Sequence, residues 1–355
     1  MKNKKFIIII ALSLLSASCN LFSTPTAAGV FKSSNGGVDW LASNALKTGT
    51  GNILQYNISK LDFDPANRQN IFAASYNGGI YESEDSGATW TNILAKIGVY
   101  DFAIDPANSK VIYAAGICLS NSCVLKTTDG GGSWVNVPGY TGPLADPVRS
   151  IALNPSDPNQ IVIGTLTGNV IKSADGGSTW QLAKNFKDQV NSVKWQGSTI
   201  YVLLKDNGLF ESPDFGASFS EATTGIKKAA VLDVLGNPQN GVADFLQVYV
   251  DSETANLIYI STDKGLYKTV DGGTTWNLLT LPTTAAAGVT RSIAVAKSSS
   301  DTVYASVGAT IYKSLDGGNT WQTQGINTTG FVNSILIDPQ LPQIVYSGIF
   351  TSQQQ

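Results

Sequence analysis

The 355-residue chain has no histidine, one methionine, three cysteines and three arginines. Without histidine, a zinc site would need four thiolate or carboxylate ligands, and three cysteines cannot complete a thiolate set. Neither a metal nor a cofactor is therefore expected. Arg68, Arg149 and Arg291 are too few and too dispersed to form a basic stripe, which argues against a nucleic-acid partner. Long hydrophobic runs are scarce as well. The apolar stretch over 6–15 is too short to span a bilayer, and because it follows Lys2, Lys4 and Lys5 it has the layout of a signal peptide over 1–18.

The segment LLSASC closing at Cys19 resembles a bacterial lipobox. It implies acylation of Cys19 and a lipid-anchored tether over 19–28, on the extracytoplasmic side of a cell envelope. Cleavage after Ser18 by ordinary signal peptidase, giving a secreted protein, is the alternative. Without the three leader lysines, 20 basic residues face 26 acidic ones, a balance of −6. Cys118 and Cys123 flank LSNS closely enough to pair across a small hairpin, as an exported protein permits, or they remain unlinked thiols.

What the chain does have is one eight-residue turn in seven copies: SSNGGVDW (33–40), SEDSGATW (83–90), TTDGGGSW (127–134), SADGGSTW (173–180), SPDFGASF (212–219), TVDGGTTW (269–276) and SLDGGNTW (314–321). The closing aromatics stand 50, 44, 46, 39, 57 and 45 residues apart. A period in that range signals units that bury their apolar faces only against the next copy. In each octet Asn35, Asp85, Asp129, Asp175, Asp214, Asp271 or Asp316 can accept backbone N–H groups of its own turn. The fifth-position glycine suits a positive φ, and the closing Trp or Phe supplies area for packing between sheets.

Around the octets, alternating strands, DPAN-like turns and short β-branched runs recur, with no helix expected after the leader. Residues 29–46 supply only the second half of such a unit and residues 331–350 only the first half. Joined, they make one complete sheet. The expected fold is all-β: a single seven-bladed β-propeller of four-stranded antiparallel blades over 29–350, closed by N- and C-terminal strands sharing one blade, with a tail at 351–355. Blade 5 is the least regular, with the short first turn WQGST and an octet ending in Phe219. The excess spacing at 221–244 is expected to be an inserted hairpin.

Alternate connections in such a ring fall on opposite faces. The octets and DP turns share one. The connections between blades, and between second and third strands, share the other, where binding is expected. Five positions before the DP aspartate or its equivalent stand Ser59, Tyr100, Arg149, Asn191, Leu246, Arg291 and Asn333. These are predicted to ring one mouth of the central channel, where two cations, an aromatic and two amides suit an anionic or hydroxyl-rich partner. The alternative is that any strand start needs polar residues.

The octet is identified as the Asp-box, or BNR repeat. Over 29–350 the chain resembles the photosystem II stability/assembly factor family and its non-photosynthetic relatives, with innermost strands such as VRSIALNP, TRSIAVAK and VNSILIDP. That resemblance implies a non-catalytic, exported scaffold that binds a protein partner, such as a membrane-embedded one, during assembly. Boxes of the form SxDGGxTW also resemble those of xyloglucanases. This implies the alternative of a glycan-binding protein or glycoside hydrolase, for which Asp101, Asp146, Asp233 and Asp244 are the carboxylates expected near the binding face. Sialidases and sortilin-type receptors share the box too. Against the sialidase comparison, Arg68 belongs to a DP turn on the opposite face, leaving only two arginines to converge. Because the third strand of blade 1 begins at Gly29 on the binding face, a ten-residue tether, at most ~36 Å long, is expected to keep that face near the membrane.

Overall fold

The computed structural model describes residues 28–119, 121–227, 231–232, 238–239, 244–283 and 289–351. Seven four-stranded antiparallel sheets succeed one another around a ring. Blade 1 is built from both ends of the chain, in the order Leu41–Ala42, Gly29–Ser33, Val345–Phe350 and Phe331–Ile337. Five register pairs from Gly29↔Ile349 to Ser33↔Val345 hold the two termini together. The other innermost strands are Ile58–Phe63, Gly98–Ile104, Val148–Asn154, Val190–Gln196, Phe245–Val250 and Thr290–Ala296, for blades 2 to 7. Blade 3 carries an added pair of residues, Gly142–Pro143, against its third strand. Cys118 and Cys123 form a disulfide across the hairpin between its second and third strands, with Cα atoms 5.7 Å apart.

The chain departs from the helix-free expectation at one place. A single helical turn, Thr224–Lys227, opens the excess segment, before a short antiparallel pair of Val231–Leu232 with Pro238–Gln239. Thr223 and Ile226 anchor that turn: Leu209 N donates to Thr223 Oγ1, and Ile226 is buried among blade 5 and 6 residues. Burial of one isoleucine face thus overrides the hairpin reading at the segment's start. Among the described residues no helix is long and apolar enough to cross a membrane.

The core is not one cluster but seven, each shared by two neighbouring blades. Each octet aromatic enters the interface with the preceding blade: Trp90 packs with Val30 and Tyr346 of blade 1, Phe219 with Val162 of blade 4, Trp276 with Tyr201 of blade 5. Several also fix themselves there, since Trp90 Nε1 donates to Ser43 O at 2.7 Å and Trp134 Nε1 to Ile93 O at 2.8 Å. Close approach at the centre requires glycine. A Cβ on Gly164 would strike Val190 of the next blade, and one on Gly348 would strike Ile58.

The octet turn explains its own sequence. In 269–276, Thr269 Oγ1 donates to Asp271 Oδ1, while Thr275 N and Oγ1 donate to Asp271 Oδ1 and Oδ2 at 2.9 and 2.6 Å. Gly273, at φ 97°, donates its N–H to Thr269 Oγ1. The fourth residue is left-handed in every copy, from Gly36 at φ 72° to Phe215 at φ 55°. In six blades its N–H ties to the same blade's first turn, as with Gly272 N to Asn256 O and Gly317 N to Asp301 O. Its carbonyl faces the preceding blade. There Tyr346 OH and Lys32 Nζ both donate to Ser86 O at 2.9 Å, and Tyr259 OH and Lys268 Nζ donate to Gly317 O at 3.4 and 2.9 Å. The lysines lie over the same rings, Lys126 above Tyr113 at 4.9 Å. Blades 2 and 5 carry Glu82 and Glu211 at the lysine position and make no such clamp among the described residues.

Acid sensitivity follows from the turn. Hydrogen bonds from the Thr179, Thr275 and Thr320 hydroxyls, then from the same residues' N–H groups and from the first-position hydroxyls, hold the Asp175, Asp271 and Asp316 carboxyls down to about 2, against an ordinary 3.8. A carboxyl depressed on folding stabilises the fold fully above its unfolded value and loses that contribution as pH falls through the folded one. Circular dichroism titration should therefore show stability constant above about pH 4 and falling steeply toward pH 2. An Asp175→Asn/Asp271→Asn/Asp316→Asn variant should lose part of that slope, as Asn35 already fills the same role without charge.

Candidate functional site

Each innermost strand carries a β-bulge near its start, and the bulged residue is in every case one of the seven predicted ring positions. Ser59, Tyr100, Arg149, Asn191, Leu246, Arg291 and Asn333 each fall between two register pairs with no partner of their own, for example Arg149 between Val148↔Thr165 and Ser150↔Gly164. A bulge re-aims the side chain and bends the strand. Here all seven line one cavity of about 510 Å³ at the channel mouth.

The seven are not equivalent. Ser59 Oγ donates to Val99 O at 2.7 Å, Asn333 Nδ2 to Ile58 O at 3.0 Å, and Asn191 Nδ2 to Phe245 O at 2.5 Å. Each of these polar groups is committed to the carbonyl of the next blade, so three of the predicted contacts are inter-blade pins. Leu246 supplies only apolar wall. Arg149 and Arg291 form no ion pair among the described residues and instead lie over aromatic rings, Arg149 4.7 Å from the Tyr100 centroid and Arg291 4.9 Å from that of Phe331. Tyr100 stacks in turn on Tyr76, and Tyr76 on Phe350, at 5.5 and 5.6 Å. Burial pushes the Tyr76 phenol up, with the Arg149 charge and a hydrogen bond with Asn333 acting the other way. Two guanidinium groups held on aromatic platforms, each with its donors free, are suited to grip carboxylate or phosphate.

Below the rim lie groups outside the predicted set. Lys60 reaches Asp101 at 2.9 Å and Asp62 at 3.7 Å, and donates to Phe102 O. Asp101 Oδ2 also accepts from Ser150 Oγ and Ile151 N at 2.8 and 3.0 Å. Burial works against ionising Asp101, but the charges of Lys60 and Lys194 and the Ile151 N–H overcome it and leave its carboxyl below the ordinary range. Lys194 and Gln247 line the same cavity. Charged residues inside the strands ISKLDF and VNSVKWQ were the legible signal, because a lysine in a strand buried on both sides needs water or a partner.

Of the other expected carboxylates, Asp146 is held by hydrogen bonds and Asp244 is half-exposed. Asp146 accepts from Thr167 N at 2.7 Å and Asn169 Nδ2 at 2.9 Å, and Asp244 stands 3.7 Å from Lys205. Asp233 and Cys19 lie outside the described residues. Arg68 pairs with Asp338 at 2.7 Å and lines a separate cavity with the first turns of blades 1 and 2, at the channel's other end. Among the described residues no group of three or more acidic or cysteine side chains could hold a metal ion.

No family model matches the chain. Among curated proteins it is 26% identical to sortilin of Danio rerio over 223 residues, 58% of this chain and 24% of sortilin. It is also 26% identical to a xyloglucanase of Hypocrea jecorina over 274 residues, 62% of this chain and 32% of the enzyme. The chain thus spans between a quarter and a third of these relatives. Of solved structures, a GH74 xyloglucanase from Xanthomonas campestris aligns with TM-score 0.66 at 17% identity, covering 83% of this chain and 51% of that one. The structure of YCF48 bound to D1 peptide aligns with TM-score 0.59 at 17% identity, covering 88% and 96%. At these identities the likeness shows the propeller fold.

The two kinds of mouth residue should separate by mutation. Asp101→Ala leaves Lys60 without its main counter-charge and should cost about 3–5 kcal/mol in urea unfolding. Arg149→Ala, which loses one cation–π contact, should cost less than about 1 kcal/mol.

Proposed function

We propose that the chain is a non-catalytic binding propeller, which docks a protein partner on the channel-mouth face through Arg149 and Arg291. The observation that carries this reading is the pair of uncompensated guanidinium groups on aromatic platforms in an otherwise acidic chain. Support comes also from YCF48, a propeller matched over nearly its whole length, whose structure holds a D1 peptide. In this reading the leader exports the chain and Cys19 carries the lipid, so that the tether holds the docking face toward a membrane-embedded client. A structural role for Ser59, Asn191 and Asn333 does not weaken it, because their hydrogen bonds fix the geometry from which the arginines project.

Glycoside hydrolysis needs two carboxylates on the order of 5–10 Å apart, one of them able to hold a proton near neutral pH. Asp101 is paired and depressed, and each Asp146 oxygen accepts a hydrogen bond from the turn that carries Thr167 and Asn169. Asp101 is therefore not free to hold that proton, which favours the binding reading.

Affinity purification of the tagged full chain from its native envelope is the decisive measurement. Arg149→Ala/Arg291→Ala should abolish recovery of the partner while leaving the thermal midpoint within a few degrees of the parent. Recovery unchanged in the double variant, or xyloglucan cleavage that depends on Asp146 or Asp244, would sink the reading. Cys19→Ala should move the chain from the membrane pellet to the soluble fraction.

A further inference from the structure

Behind the docking rim, the channel wall carries a charge that the protein does not itself satisfy. Of the two lysines on innermost strands, Lys60 is matched by Asp101, Asp62 and the Phe102 carbonyl. Lys194 lines the same cavity and forms no ion pair and no hydrogen bond among the described residues. On the adjacent blade, Gln247 Oε1 accepts from Ile293 N at 2.8 Å. That bond fixes the carboxamide orientation, and its Nε2 is left without an acceptor among the described residues. Five cations line the cavity (Lys60, Arg149, Lys194, Lys205 and Arg291) against the carboxylates Asp62 and Asp101, in a chain of formal net charge −3.

A low-dielectric cleft lined by one sign of charge concentrates counter-ions of the other. Lys194 acts on Asp101 only through space, because both Asp101 oxygens already accept from Lys60, Ser150, Ile151 and Phe102. An ammonium with three donors and a carboxamide with two remain facing a polar, water-accessible space. Burial, and then the like charge of Lys60, depress the Lys194 ammonium, with Asp101 and Asp62 opposing. A bound anion would relieve both effects.

We propose that the channel interior is a binding site for a small oxyanion of the carboxylate or phosphate class, with Lys194 Nζ and the Gln247 carboxamide nitrogen as its inner contacts. Lys194 and Gln247 share the cavity of about 510 Å³ with Arg149 and Arg291, and a ligand of a few heavy atoms fits it where a folded partner cannot enter. The bulges supply the depth. They place one side-chain layer at the mouth and turn the next positions of the strand toward the axis.

Titration calorimetry and thermal midpoints of the full chain, with sodium phosphate or sodium acetate against sodium chloride at equal ionic strength, test this directly. At least one of the two oxyanions should bind saturably. Lys194→Met should weaken that binding at least tenfold while folding normally, since it removes an unpaired charge. Gln247→Glu keeps the acceptor for Ile293 N but adds a negative charge, and should weaken it as strongly. Arg149→Ala/Arg291→Ala lowers the positive field of the cavity but removes no inner contact, so it should weaken anion binding less than Lys194→Met does while abolishing docking, which separates failure of this site from failure of the docking reading. No saturable binding by either oxyanion, or equal affinity in Lys194→Met, would overturn the proposal. Loss in the rim variant alone would overturn it too, by placing the anion at the mouth.

Discussion

Contact between neighbouring blades is made through the left-handed fourth residue of the octet, and the ring depends on it. Among the described residues its N–H fastens six octets to the first turn of their own blade, and in five its carbonyl receives a tyrosine hydroxyl, a lysine ammonium or both from the blade before. The closing aromatic enters the same interface four residues later. One short motif therefore completes a blade and joins it to the previous one. A four-stranded sheet of this size cannot bury both faces alone, so stability here belongs to the seven interfaces rather than to any blade.

Blade 5 shows what happens when parts of that device are missing. Its short first turn offers no carbonyl to Phe215 N, its octet closes with Phe219 rather than Trp, and Glu211 replaces the clamping lysine toward blade 6. The excess segment with its single helical turn follows directly, and Ile226 of that turn is buried in the blade 5–6 interface. Trp276 Nε1 still donates to Ala222 O, as Trp90 and Trp134 donate to Ser43 O and Ile93 O at the same place in their interfaces, so the regular contact is kept and Ile226 is added to it.

Toward the axis, the bulges convert a repeated scaffold into a site. They give seven side chains a common mouth without imposing a common role: three pin the next blade, one is apolar, Tyr100 is the ring beneath Arg149, and two present guanidinium groups on aromatic rings. The fold is constant around the ring while the chemistry is confined to a few bulged and near-bulge positions. This is why propeller likeness to a xyloglucanase and to YCF48 identifies the scaffold and leaves the activity to the individual residues.

Blade number, closure by both termini and the ring positions were all readable from the chain, because each follows from a local turn signature repeated at a fixed period. The commitment of Ser59, Asn191 and Asn333 to neighbouring carbonyls was not readable, since it depends on how far one blade stands from the next. Lys60, Lys194 and Gln247 escaped notice for a related reason. Strand alternation assigns faces by counting in twos, and a bulge inserts one residue, so every position after it changes parity. The same insertion that gathers the arginines at the mouth turns the lysines into the channel: a lysine within a buried strand was legible in the sequence, but the side it faces is set by the paired register of two strands.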